Sequence, residues 1–120
     1  HAYLPTENQD NRWPLKSRHH YNDLLESIEL NGAIIECWHT VPESWAHLPY
    51  FFRVMDWRNM YMLENCDALI AVWNGKKKGG TYNCIKAAQS GKDSLGNYLP
   101  AWKIEHIYHI NPVEKTAGWI

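Results

Sequence analysis

The feature that most constrains this chain is the alternation of short apolar runs with amphipathic stretches. The clearest run, Ala68-Leu69-Ile70-Ala71-Val72-Trp73, is followed by Asn74-Gly75, the basic residues Lys76–Lys78 and then Gly79-Gly80-Thr81. A continuous apolar run between turn signals has the look of a strand buried on both faces. A helix is expected from Thr81 to Ser90, stopped by Gly91. The same alternation recurs on either side. Ala2–Leu4 ends at Pro5 as a short strand. Tyr21, Leu24, Leu25 and Ile28 are spaced as one helix face within Arg18–Glu29, which Asn31-Gly32 stops. Ala33–Trp38 reads as a strand and His39–Tyr50, with Pro42 and Pro49, as a loop. Phe51–Asn65 reads as a helix through Phe51, Val54, Met55, Tyr61 and Met62. Asp93–Pro100 is a loop and Ile104–Ile110 a final strand, before Pro112 and a polar tail.

This β-α-β-α-β-α-β order predicts a Rossmann-like three-layer α/β/α domain over residues 1–120, with a mostly parallel sheet of about four strands. So thin a sheet leaves an edge exposed. Self-association, most simply a two-fold dimer, or a complementary N-terminal segment is expected to cover it.

Composition narrows the function classes. Twelve Lys+Arg against thirteen Asp+Glu give a net charge of −1, which argues against a general nucleic-acid footprint. No apolar run approaches a membrane span. Cys37, Cys66 and Cys84 are widely spaced and form neither a disulfide framework nor a zinc pattern, so a reducing, cytoplasmic setting is expected. His106 and His109 fall on opposite faces of a strand, and no compact Cys/His cluster exists, so no metal site is expected. The seven tryptophans read mostly as core or pocket wall.

In open parallel sheets, ligands sit beyond the carboxyl ends of the strands. The loop from Asn74 to Gly80 lies at such an end. Glycine lets backbone approach a ligand closely, and the following helix presents free amides and a positive dipole end. Gly75, Gly79, Gly80, Thr81 and Asn83 are therefore candidate phosphate ligands. Arg58, on the preceding helix, is suited to bidentate phosphate binding, and Asn59 could hydrogen-bond a base or sugar. Trp57 and Trp73 are candidate pocket walls. The plainer readings are a common strand–helix turn and a solvated arginine.

Met55-x-x-Arg58-x-x-x-Met62, then Asp67-Ala68-Leu69-Ile70-Ala71, then Gly79-Gly80-Thr81, resembles the signature of the SLOG superfamily. That group includes the LONELY GUY phosphoribohydrolases, the DNA-processing protein DprA and YpsA-like proteins. Arg58-Asn59, Cys66–Gly75 and Gly79–Cys84 look most like the YpsA-like, phage-type branch, as do Pro5, Gln9 and Trp13. The resemblance implies a Rossmann-like fold that holds a nucleotide or nucleotide-derived molecule, with Gly79, Gly80 and Thr81 on phosphate and Arg58 on phosphate or ribose. No separate cofactor is implied.

Two departures stand out. The phosphoribohydrolases carry a Glu three residues after the Thr of their Gly-Thr pair, and Cys84 stands there in this chain. A thiol cannot do a carboxylate's work without a strongly lowered pKa, so no catalytic residue is assigned. The family's first strand and Gly-rich loop also have no counterpart before His1. The chain is therefore expected to correspond to the C-terminal two-thirds of such a fold. The favoured reading is a sensor or sequestering protein for a nucleotide. The alternatives are an N-glycosidic-bond hydrolase and, less favoured by charge, a DprA-like single-strand DNA binder.

Overall fold

A computed structural model describes residues 1–5, 9–37 and 50–120. They form five strands and three α-helices in the order β1 (Ala2–Leu4), α1 (Leu15–Leu30), β2 (Ile35–Cys37), α2 (Tyr50–Glu64), β3 (Ala68–Val72), α3 (Gly80–Ser90), β4 (His106–Asn111) and β5 (Thr116–Trp119). A 3-10 turn at Pro100–Trp102 precedes β4. No helix among the described residues is long and apolar enough to cross a membrane. The loop expected over His39–Tyr50 lies outside the described residues, apart from Tyr50, which starts α2.

The chain divides into two compact units, His1–Val54 and Met55–Ile120. In the first, β1 and β2 pair in parallel, with Ala2 opposite Ile35 and Leu4 opposite Cys37. Helix α1 begins earlier than its apolar spacing indicates because Pro14 stands just before the first turn, where its preset φ fits and its missing N–H is not needed. The buried Asp10 carboxylate receives the Asn22 side-chain amide and lies 3.6 Å from Arg18 Nε. The helix ends at Asn31, and Gly32 takes the left-handed φ of +79° that the stop signal anticipates.

In the second unit the sheet order is β3-β4-β5. Strands β3 and β4 are parallel, in register from Ala68–His106 to Val72–Ile110, and α3 is the connection between them. One sheet face is covered. Leu63 and Met60 from α2, Ile85, Ala87 and Ala88 from α3, and Ala71, Trp102, Ile104 and Ile107 make the core. The buried positions of α2 thus include Met60 and Leu63, while Met55, Tyr61 and Met62 are half-buried.

The expected three-layer domain around one mostly parallel sheet is overturned. The strands form two small sheets, and the larger one is mixed. Its antiparallel member, β5, comes from the tail that reads as polar. Asn111 Oδ1 accepts the amides of Val113 and Glu114 at 3.0 Å, and Lys115 adopts a φ of +54°. Asn-Pro is a turn initiator, and this side-chain-closed turn sends the chain back along β4, pairing Tyr108 with Trp119 and Asn111 with Thr116. The four-residue return strand carries Thr, Ala, Gly and Trp, without the long apolar run that marks a buried strand.

Candidate functional site

The site is built at the junction of β3 and α3. Beyond β3, Trp73 donates its backbone N–H to Ile110 and its indole N–H to the Lys76 carbonyl at 2.9 Å. The Asn74 side chain accepts the Lys76 amide, and the Lys78 amide returns to the Lys76 carbonyl. The loop is therefore tied to its own backbone, while Lys76, Lys77 and Lys78 remain exposed. The Trp73 ring stacks on Tyr82 at 5.9 Å, and His109 Nε2 lies 2.7 Å from the Trp73 carbonyl oxygen.

Gly79, at φ +94°, precedes the first turn of α3, and no side chain caps that turn. A helix cannot satisfy the amides of its own first turn, so those of Gly80 and Thr81 face outward as donors beside the positive end of the dipole. Between α2 and α3, along β3, lies a cavity of about 580 Å³. Arg58, Asn59, Gly80, Thr81 and Cys84 contribute its polar and small groups, and Met55, Ile85 and Leu69–Val72 its apolar ones.

Arg58 Nε donates to Asn59 Oδ1 at 2.9 Å, which orients the amide and the guanidinium together. Burial lowers the pKa of Arg58 from its ordinary value, with Cys84 opposing that shift. The group still ionises far above neutrality. Burial pushes the Cys84 thiol up to about 11, with Asp56 and Cys66 adding to the rise and Arg58 opposing it. At neutral pH it is an uncharged thiol. Among the described residues the cavity lining therefore holds the Arg58 guanidinium and hydrogen-bond donors but no carboxylate. This arrangement can hold an anion. Among the described residues of its lining, Cys84 as an uncharged thiol is not suited to act as general base or charged nucleophile.

The candidates thus divide. Arg58, Asn59, Gly80 and Thr81 meet in one cavity. Gly79 shapes the turn before the helix. Gly75, at φ +83°, is a loop position where an added Cβ would lie 3.6 Å from the Asn111 side chain. Asn83 lines a different recess, of about 340 Å³, with Lys86, Ser90 and Lys92. Trp57 is half-buried and outside the cavity lining, and Trp73 holds the loop. Of the tryptophans with described side chains, only Trp102 is buried, donating to Glu64 Oε1 at 2.9 Å. Among the described residues, no group of three or more His, Cys, Asp or Glu is placed to hold a metal ion.

Two features of this unit have no signal in the apolar spacing of the sequence. The buried Asp56 accepts a hydrogen bond from Ser94, which ties the loop after α3 to α2. Asp93 organises that loop by accepting the amides of Leu95 and Asn97 on Oδ1. The Asp-x-x-Gly-Asn spelling of 93–97 was the available signal for a side-chain-closed turn. Comparisons with protein-family models, curated proteins and solved structures found no match to this chain.

Proposed function

We propose that this protein binds a nucleotide or nucleotide-derived anion in the cavity between α2 and α3, as a sensor or sequestering protein in a reducing, cytoplasmic setting. The observation that carries this reading is the convergence of Arg58, Asn59 and the uncapped first turn of α3 on a cavity whose described lining has no carboxylate. A phosphate needs several N–H or O–H donors and a cation at one place, and an apolar wall suits a base or ribose beside it. The resemblance of Met55–Met62, Asp67–Ala71 and Gly79–Thr81 to the SLOG superfamily implies the same ligand class. The uncharged Cys84 weighs toward binding over glycosidic-bond hydrolysis.

The test is native mass spectrometry of the purified chain, followed by calorimetric titration with nucleoside mono- and diphosphates. Saturable binding is expected. Arg58→Ala and Thr81→Val should each weaken it by about 1.5–3 kcal/mol, the worth of a charge-assisted hydrogen bond, without altering the far-ultraviolet circular dichroism. A bare chain that takes up none of these ligands, or wild-type affinity retained in both variants, would remove the reading.

A further inference from the structure

We propose that the free edge of β3 is a homodimer interface, in which a second copy of this chain adds its own β3 antiparallel to the first. The pairing stands independently of the ligand reading, although Ile70 and Val72 also line that cavity, so the test reads the oligomeric state and not ligand affinity.

Among the described residues β3 has a hydrogen-bonded neighbour, β4, on one side only. The direction of its unpaired groups follows from the ladder. Trp73 turns its N–H to Ile110, and peptide groups alternate along a strand, so Leu69 and Ala71 also face β4. Ala68, Ile70 and Val72 therefore point their N–H and C=O groups to the free edge. Those three residues are exposed, Ile70 by 70% and Val72 by 60%. Unpaired edges in soluble proteins are usually blunted by a lysine, a proline or a bulge, and Ala68-Leu69-Ile70-Ala71-Val72 carries no charge and no proline.

The edge is complementary to itself. A two-fold axis beside Ile70 sets Ile70 against the second copy's Ile70, and Ala68 against its Val72. Each of these pairs is of the type that exchanges both N–H···O bonds. Small residues then face larger ones, and no like charges are opposed within the strand.

The charges beyond the strand match as well. Exposed Glu64 and Asp67 lie before β3, and exposed Lys76, Lys77 and Lys78 lie after it. Antiparallel pairing brings the acidic end of one strand to the basic end of the other, in both copies at once. A parallel arrangement would place like charge on like. A second copy's β3 supplies this pattern of neutrality and charge.

Sedimentation equilibrium of the full chain at micromolar concentration tests the pairing. The wild type should sediment as a dimer. Ile70→Lys and Val72→Lys should each reduce it to a monomer while leaving the circular dichroism unchanged, because both side chains are exposed. Trp119→Lys is the control. It changes an exposed residue on the same sheet face, on the strand farthest from the edge, and should remain dimeric. A wild-type chain that is monomeric throughout, including one that binds only a foreign polypeptide, overturns the proposal. So does a dimer that survives both edge variants, or one that Trp119→Lys dissociates, since that would place the contact on the sheet face.

Discussion

Helices α1 and α3 carry comparable signals in the sequence and have different fates. Each shows apolar residues at helical spacing and each ends at a glycine in the left-handed region. In α3, Cys84, Ile85, Ala87 and Ala88 are buried. In α1 no residue is buried, and Leu24 is 51% exposed. The difference lies in what each helix has to pack on. Helix α3 lies with a three-stranded sheet and the 3-10 turn in its own unit, and its paired alanines permit close approach. The unit of α1 contains a two-stranded pair of three-residue strands. Periodicity tells that a helix has an apolar face. It does not tell how much surface there is to cover that face.

The sharpest way to break this comparison is to truncate one residue from each region. Leu63→Ala removes a side chain with no exposed surface and should cost about 2–5 kcal/mol of stability. Leu24→Ala should stay within about 0.5 kcal/mol. Chemical denaturation of both variants decides it, and equal losses would mean that α1 is packed as firmly as the core of the second unit.

The two glycine stops give a finer contrast. A Cβ on Gly32 would meet nothing within 4 Å, so Gly32→Ala should cost only the left-handed backbone strain, about 1–2 kcal/mol. At Gly91 the Cβ would also lie 2.7 Å from the Tyr98 ring and 3.4 Å from the Leu99 carbonyl. Gly91→Ala should therefore cost more than Gly32→Ala, and Gly91→Ala combined with Tyr98→Ala should recover part of the excess. Thermal melts of the three variants measure the difference.

The smallest effect concerns charge. Burial raises the Asp56 carboxyl above its ordinary 3.8, and Asp93 adds to the rise, against the Ser94 hydrogen bond that lowers it. A raised folded-state value means that folding favours the protonated acid. The stability it confers is present below the unfolded-state pKa and is lost as pH rises through the folded one. Asp56→Asn should thus gain on the wild type as pH rises from about 4 to 7, a trend that melts across this range would reveal. A constant gap would mean that Asp56 is as readily ionised in the fold as in the unfolded chain.

Some of the molecule is legible in its sequence because the signals are local. The strand Ala68–Val72, the helix from Gly80 to Ser90 and the stops at Gly32 and Gly91 follow from apolar runs, helical spacing and the positive φ that glycine accepts. Gly80 and Thr81 lie where a strand ending in a glycine turn delivers a helix N-terminus to its own end, and Arg58 and Asn59 line the same cavity from the preceding helix.

Other features depend on partners distant in the chain. Whether strands share one sheet is decided by pairing that no local pattern encodes, and here β1 and β2 pair with each other while β5 closes on β4. Asn111 and Lys115 bend a polar tail into a hairpin whose strand lacks an apolar run. Asp56 is buried because Ser94, thirty-eight residues later, folds back to it. Propensity and spacing within a few residues already mark α1, α2, α3 and β1 to β4 in the sequence, but not β5. Which faces are covered, which strand edges go unpaired among the described residues and which candidate ligands meet are settled by the tertiary fold, because burial and hydrogen-bond partnership are properties of groups brought together from far apart along the chain.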